Sequence, residues 1–341
     1  MPVKLKDIAR EVGYSVTTVS RALAGYDDVA ESTRQLILRT AAEMGYRPDV
    51  TARRLRSRRT DIIGFIIPTH GPRFSDPFFS EVLAGIGNKA AEREFDLLVS
   101  TCAPGAEELK AYARMVLERR VDGLLVVRTR HQDQRVAYLI DQAFPFVAFG
   151  RSDLETDFPY LDVDGEAGIR QLTQYLIELG HRRIAFVSAP PELMFASHRL
   201  EGYRWALLAN GIAFDENLVA VGGLTKASGY EAGRDLLMLD QRPTAILACN
   251  DLMALGVVSA AQGLGLAVGR DVSVAGFDDV PLAEHVHPPL TTVRQPVYEI
   301  GQRICEMLVQ LLQDGTLSER HVILQPQLVV RDSCRAPASQ G

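Results

Sequence analysis

The chain has 341 residues, of which 47% are hydrophobic and 23% charged, the balance of an ordinary globular protein of two or three domains with ample core. It shows no run of 18 apolar residues and no apolar stretch behind the charged N-terminus, so neither a membrane span nor a secretory signal is expected. The net charge of −6 is unevenly spread: residues 1–59 hold 12 Lys+Arg against 7 Asp+Glu, a net of +5, and the remainder carries −11. A basic head on an acidic body confines any polyanion contact to the head. Cys102, Cys249, Cys305 and Cys334 are far apart and form no metal or redox spacing; reduced thiols in a cytoplasm are expected.

Residues 4–24 predict two short helices. Ile8, Ala9 and Val12 make a narrow apolar stripe, and Gly13 ends the first helix because glycine accepts the left-handed turn. Ser15 is placed to cap the second helix, whose buried face is Val19, Ala22 and Leu23. Val16, Thr17, Ser20 and Arg21 are left outward. Two short helices across a glycine turn, the second showing small polar groups and an arginine, predict a helix-turn-helix with a DNA-reading helix. A loop at 25–28 leads to a third helix from about Glu31 to Met44, facing the first two through Ile37, Ala41 and Met44 and stopped by Gly45. Three helices in about 45 residues bury little, so full order of this head is expected to depend on DNA or on the rest of the chain.

Residues 47–59 hold six arginines, one acid and a lone Leu55, with Pro48 suited to a first helical position. A short basic helix with one apolar tip fits a minor-groove wedge that unstacks a base step.

The N-terminal run, the hinge pattern Arg47-Pro48-x-x-x-Ala52-x-x-Leu55 and the body behind it resemble the lactose/galactose-repressor (LacI/GalR) family of bacterial transcription regulators, over essentially the whole chain. The resemblance implies a homodimer on a pseudo-palindromic operator, with recognition helices in major grooves and paired hinge helices in the minor groove between them. It places Val16, Thr17 and Arg21 against base edges; a bidentate Arg–guanine contact discriminates by roughly 1–3 kcal/mol. By position Lys4, Ser15, Thr18, Ser20, Thr33 and Tyr46 match phosphate contacts, Leu55 the wedge and Ala52 the close hinge contact.

From residue 60 the chain alternates strand and helix. The apolar run at 61–67 reads as a buried parallel strand. Further strands are expected at 95–100, 121–127, 146–149, 160–163, 184–188, 218–221, 244–248 and 272–277, an extended stretch at 290–296, and a strand near 322–330. Helices are expected between them and at 297–313. Residues 62–99 and 184–221 repeat one layout. The expected fold is an all-α helix-turn-helix head (1–46), a hinge helix (47–59) and an α/β two-lobed body (60–341) of doubly wound parallel sheets, of the periplasmic-binding-protein type that the resemblance implies. The N-lobe is expected at about 60–162 and 292–322, the C-lobe at about 163–291 and 323–335.

Ligands in such sheets bind beyond the carboxyl ends of strands, here in a cleft between lobes. Asp278 ends an apolar strand, where a carboxylate is costly without a purpose, and it can accept from two neighbouring hydroxyls. It matches the family's sugar-contacting aspartate. Arg199 matches the effector-binding arginine, and Phe78 and Phe79 lie where the family stacks an aromatic on its ligand. Asn250, Asp76 and Arg151 complete the candidate set; the first two are equally suited to capping helices. Where the lactose-responsive member has an aspartate, Gly150 stands beside Arg151, which points away from lactose and leaves a larger glucoside or an acidic ligand open.

The sequence thus predicts a DNA-binding regulator, read as a repressor, controlled by a small effector read as a sugar or glucoside. The alternatives are a purine-repressor-like sign, in which ligand promotes DNA binding, and a solute-binding protein with no regulatory role. Absence of a phosphate loop, metal cluster or nucleophile elbow argues against an enzyme, cofactor or metal. The tail lacks a leucine heptad, so a dimer is expected rather than a tail-bundled tetramer.

Overall fold

The computed structural model describes residues 3–46, 59–69 and 76–337. The chain separates into two compact units, Met1–Arg59 and Thr60–Gly341.

In the head, helices α1 (Leu5–Val12), α2 (Val16–Leu23) and α3 (Glu31–Glu43) pack around Ile8, Val19 and Ile37, each fully buried. Gly13 ends α1 at φ 71°, and the Ser15 hydroxyl caps α2 by accepting from the Thr18 N–H at 3.0 Å, a bond worth about 1 kcal/mol. Val29, in the loop after α2, is buried in the same core, which the helical spacing did not foretell. The predicted hinge helix, with Ala52 and Leu55, lies outside the described residues.

The body runs β1 (Ile62–Pro68), α4 (Pro77–Glu92), β2 (Asp96–Cys102), α5 (Ala106–Leu117), β3 (Gly123–Val126), α6 (Gln134–Asp141), β4 (Phe146–Phe149) and β5 (Tyr160–Val163). Helix α7 (Gly165–Glu178) opens a second series: β6 (Ile184–Ser188), α8 (Met194–Ala209), β7 (Val219–Val221), α9 (Lys226–Leu237), β8 (Ala245–Ala248), α10 (Asp251–Gly263) and β9 (Ser273–Ala275). The chain closes through β10 (Thr292–Arg294), α11 (Val297–Asp314), β11 (His321–Leu324) and β12 (Gln327–Val329).

Two parallel sheets result, ordered β11-β5-β4-β3-β1-β2 and β7-β6-β8-β9. The runs β2-β1-β3-β4 and β7-β6-β8-β9 share one order, so the repeat visible in two stretches of sequence extends through both lobes. Central strands β1, β3, β6 and β8 are buried nearly throughout, as apolar runs covered by helices on both faces must be.

The single strand expected near 322–330 is instead two. β11 pairs parallel with β5, the chain breaks at Gln325-Pro326, and β12 pairs antiparallel with β10. Proline has no N–H to give a ladder, so it marks the point where the chain leaves one sheet. The first sheet consequently runs to Leu324, slightly past the lobe boundary read from sequence.

Helix α11 packs into the first lobe through Ile300, Ile304 and Leu308, and crosses α4 where Gly85 meets Gly301. A Cβ on Gly301 would stand 2.4 Å from the Val82 carbonyl oxygen, so the crossing requires glycine. Among the described residues no helix is long and apolar enough to cross a membrane.

Candidate functional site

On the head, Val16 and Thr17 are exposed at the start of α2. Lys4 is exposed before α1, its N–H donating to Asp7 Oδ2 at 2.9 Å. Ser15 and Thr18 hydroxyls are 2.8 Å apart, Thr33 Oγ1 lies 3.5 Å from the Tyr14 hydroxyl, Ser20 is half-buried, and Tyr46 packs on the core. Arg21 is held at its flank: Nε donates to Asp28 Oδ1 at 3.1 Å and the guanidinium lies 4.6 Å over the Tyr26 ring.

In the body, one cavity gathers Asp76, Phe78, Phe79, Arg151, Arg199, Asn250 and Asp278, seven residues from five different segments. It lies at the carboxyl ends of both sheets and has an empty volume of about 740 Å³, counting the solvent at its open side. Asp76 caps α4, accepting from the Phe78 N–H at 3.1 Å, and its other oxygen accepts from Arg128 Nη2 at 2.8 Å. Phe79 is buried beneath the Arg128 guanidinium, whereas Phe78 stacks on Phe149 at 5.8 Å and forms wall. Burial pushes the Asp76 carboxyl up despite Arg128, and pushes Arg128 down.

Arg151 joins the lobes. Its Nε donates to Asp162 Oδ2 at 2.7 Å and its Nη2 donates to His198 Nδ1 at 3.1 Å. Arginine only donates, so Nδ1 accepts and a neutral His198 carries its hydrogen on Nε2. Burial, then the Arg151 charge, push His198 down to about 4, which keeps the ring neutral at ordinary pH.

The Arg199 guanidinium is wedged between the Phe277 ring at 3.7 Å and the Phe195 ring at 4.8 Å. Its Nη1 donates to the Cys249 carbonyl, it stands 4.0 Å from Asp278 Oδ1, and its buried Nε has no partner among the described residues. A buried N–H without an acceptor costs about 1–3 kcal/mol, which a ligand oxygen would recover. Asp278 accepts from Gln295 Nε2 at 2.6 Å. Burial, against the opposing Arg199 charge, drives its carboxyl well up, and the Asp251 and Asp76 carboxylates add to this. Asn250 does cap α10, accepting from the Met253 N–H at 3.0 Å, while still lining the cavity.

Four lining residues hold left-handed backbone: Arg128 (φ 51°), Gly150 (φ 111°), Leu224 (φ 62°) and Asp278 (φ 124°). Such conformations persist where a site over-determines them. At Gly150 a Cβ would also meet Thr129 Oγ1 at 2.4 Å, the physical reason this corner carries no side chain. Asp279 points away into Arg294 and Arg331, both at 2.7 Å, and His181 is locked between Thr244, Ser273 and the Arg335 carbonyl, so both serve structure.

Sequence reasoning passed over Arg128, Asp162, His198, Phe195 and Gln295, while the carboxyl-end rule had selected the corner that holds Phe149. Arg128 stood directly after an apolar strand, where the carboxyl-end rule looks, and Asp162 was an acid inside a buried strand. His198 and Gln295 gave no such signal; His198 joins the site by accepting from Arg151 and Gln295 by donating to Asp278.

A family model described as the periplasmic binding protein-like domain matches residues 173–334, and one described as bacterial regulatory proteins, lacI family, matches residues 4–49. The HTH-type transcriptional regulator CelR of Thermobifida fusca is 36% identical over 333 residues, 96% of this chain and 97% of its own length. The chain belongs to the LacI family. It is therefore a transcriptional regulator and not an enzyme. Two solved structures of the family align over nearly all of it. A complex of the regulator CelR with cellobiose has a TM-score of 0.76 at 34% identity, covering 97% of this chain and 99% of the other. The lac repressor dimer bound to operator and the anti-inducer ONPF has a TM-score of 0.84 at 29% identity, covering 98% and 100%.

Proposed function

We propose that this LacI-family regulator is a homodimeric repressor whose operator grip is released by a neutral saccharide, a β-glucoside such as cellobiose in the first instance, bound between the two lobes. The observation that carries this reading is the orphaned Arg199 Nε beside Asp278 in a charge-balanced, aromatic-walled cavity. Arg128, Arg151 and Arg199 are matched by Asp76, Asp162 and Asp278, so a net anion would meet as much repulsion as attraction. Sugar hydroxyls both donate and accept, and suit such pairs; Phe78 and Phe149 offer a face for a pyranose ring. The relative solved with cellobiose supports the glucoside class.

In this reading residues 1–46 form the DNA-binding head, 47–59 the hinge and 60–341 the effector-binding and dimerising body. Val16, Thr17 and Arg21 read bases; Lys4, Ser15, Thr18, Ser20, Thr33 and Tyr46 hold phosphates; Ala52 and Leu55 act at the hinge. Linkage is reciprocal: a ligand that weakens operator binding binds the DNA-bound form less well by the same factor.

A thermal-shift screen of sugars on the full chain, with cellobiose in the panel, tests the effector. A hit should raise the melting temperature and weaken binding to a duplex selected from a randomised library. A hit whose binding survives Asp278→Ala would remove the cleft reading, and one that tightens DNA binding would reverse the sign of control.

A further inference from the structure

The loop joining α2 to α3 holds the flank of Arg21 in a fixed geometry. Arg21 Nε donates to Asp28 Oδ1 at 3.1 Å and Nη2 pairs with Asp28 Oδ2, two bonds along one edge of the guanidinium. Its flat face rests 4.6 Å over the Tyr26 ring centroid. The loop is itself anchored. The Tyr26 N–H donates to the Arg21 carbonyl at 3.1 Å, the Tyr26 carbonyl accepts from Arg34 Nη2 at 2.6 Å, and Val29 is buried in the head core. Tyr26 therefore sets the plane of the guanidinium and Asp28 its rotation within that plane.

Arginine presents five N–H donors in a rigid fork. With Nε–H and one Nη2–H committed to Asp28, the outer edge keeps one Nη1–H and one Nη2–H, with no partner among the described residues. Two parallel donors end-on are what guanine O6 and N7 accept in the major groove. We infer that Asp28 is a positioning residue for base discrimination. It presents Arg21 end-on to a guanine, and its carboxylate discourages the guanidinium from settling on a phosphate. This rests on Arg21 reading a base. The same negative charge close to the duplex weakens binding to every sequence, so Asp28 exchanges general affinity for discrimination.

The test uses the full chain and a duplex selected from a randomised library. Affinity is measured for that duplex, for duplexes with each base pair exchanged in turn, and for unrelated DNA. In Asp28→Asn, binding to unrelated DNA should tighten by roughly two- to threefold as one negative charge is lost. Discrimination at a single base pair should fall several-fold out of the roughly 5- to 150-fold that a bidentate pair carries, with other positions unchanged. Asp28→Glu, which keeps the charge but not the reach, should lose part of that discrimination while binding unrelated DNA like the parent. A merely structural role would instead weaken all duplexes together. If Arg21→Ala abolishes preference at one base pair and both Asp28 variants leave it intact, the inference is overturned while base reading by Arg21 stands. If Arg21→Ala leaves every preference unchanged, the underlying reading of Arg21 falls.

Discussion

Asp278→Asn should change stability and ligand affinity in opposite directions. The side chain is buried, its backbone sits at φ 124°, and asparagine keeps both the shape and the tolerance of positive φ. Burial drives the Asp278 carboxyl well up, so the ionised form is disfavoured in the folded chain relative to the unfolded one. At a pH above that raised value, deleting the charge removes a folded-state cost. The gain should be on the order of 1 kcal/mol, the usual size of relief at a functional site. The bond from Gln295 Nε2, 2.6 Å in the parent, can be kept by the asparagine carbonyl. The Arg199 charge at 4.0 Å opposes the gain, but the cost of burial outweighs it in the parent. For a sugar the balance reverses. A carboxylate accepts from two hydroxyls, an amide oxygen from fewer, and a lost charge-assisted bond costs about 1.5–3 kcal/mol, roughly 10- to 150-fold in dissociation constant. Melting of the ligand-free protein over a pH series, compared at its alkaline end where the parent carboxyl is ionised, and calorimetric titration with the best sugar from the screen measure both arms. A variant that melts lower and binds the sugar unchanged would refute the argument, since the carboxylate would then be structural support.

Burial pushes Asp251 up to about 6, even though it accepts from Thr292 Oγ1 at 2.6 Å and the Val280 N–H at 2.9 Å. A raised acid contributes stability that is full below the unfolded value near 4 and lost as pH rises through about 6, at most about 3 kcal/mol here. Melting temperature should therefore decline across that window in the parent and be flatter in Asp251→Asn. Gly301→Ala places a Cβ 2.4 Å from the Val82 carbonyl and should destabilise the body by about 1–3 kcal/mol in urea unfolding. Lys4→Ala should weaken all duplexes about equally and reduce the log–log salt slope by about 1 in titrations from low to moderate salt. Sedimentation of the full chain should give a dimer; a stable tetramer dependent on residues 331–341 would contradict the reading of the tail.

The head was legible almost to the residue because its signals are local. Gly13, Ser15 and the Ile8, Val19 and Ile37 stripes act within a helical turn or one short loop, and the structure realises each. The parallel strands were legible too, since β1, β3, β6 and β8 are buried on both faces and must be apolar throughout. What periodicity could not reveal was the break at Pro326, because one extended stretch serves two sheets and a choice of partner strand leaves no mark on local hydropathy.

The amino-acid order by itself determined the element series, the doubled α/β layout and which strand ends would carry polar groups. Tertiary structure alone decided which of those groups meet. Asp76 and Arg128 are 52 residues apart, Arg151 and His198 47, and Asp278 and Gln295 17, yet each pair is in hydrogen-bond contact. The cost of burying a charge is met by whichever partner the fold brings within about 3 Å, and that distance is a property of packing in three dimensions, not of spacing along the chain.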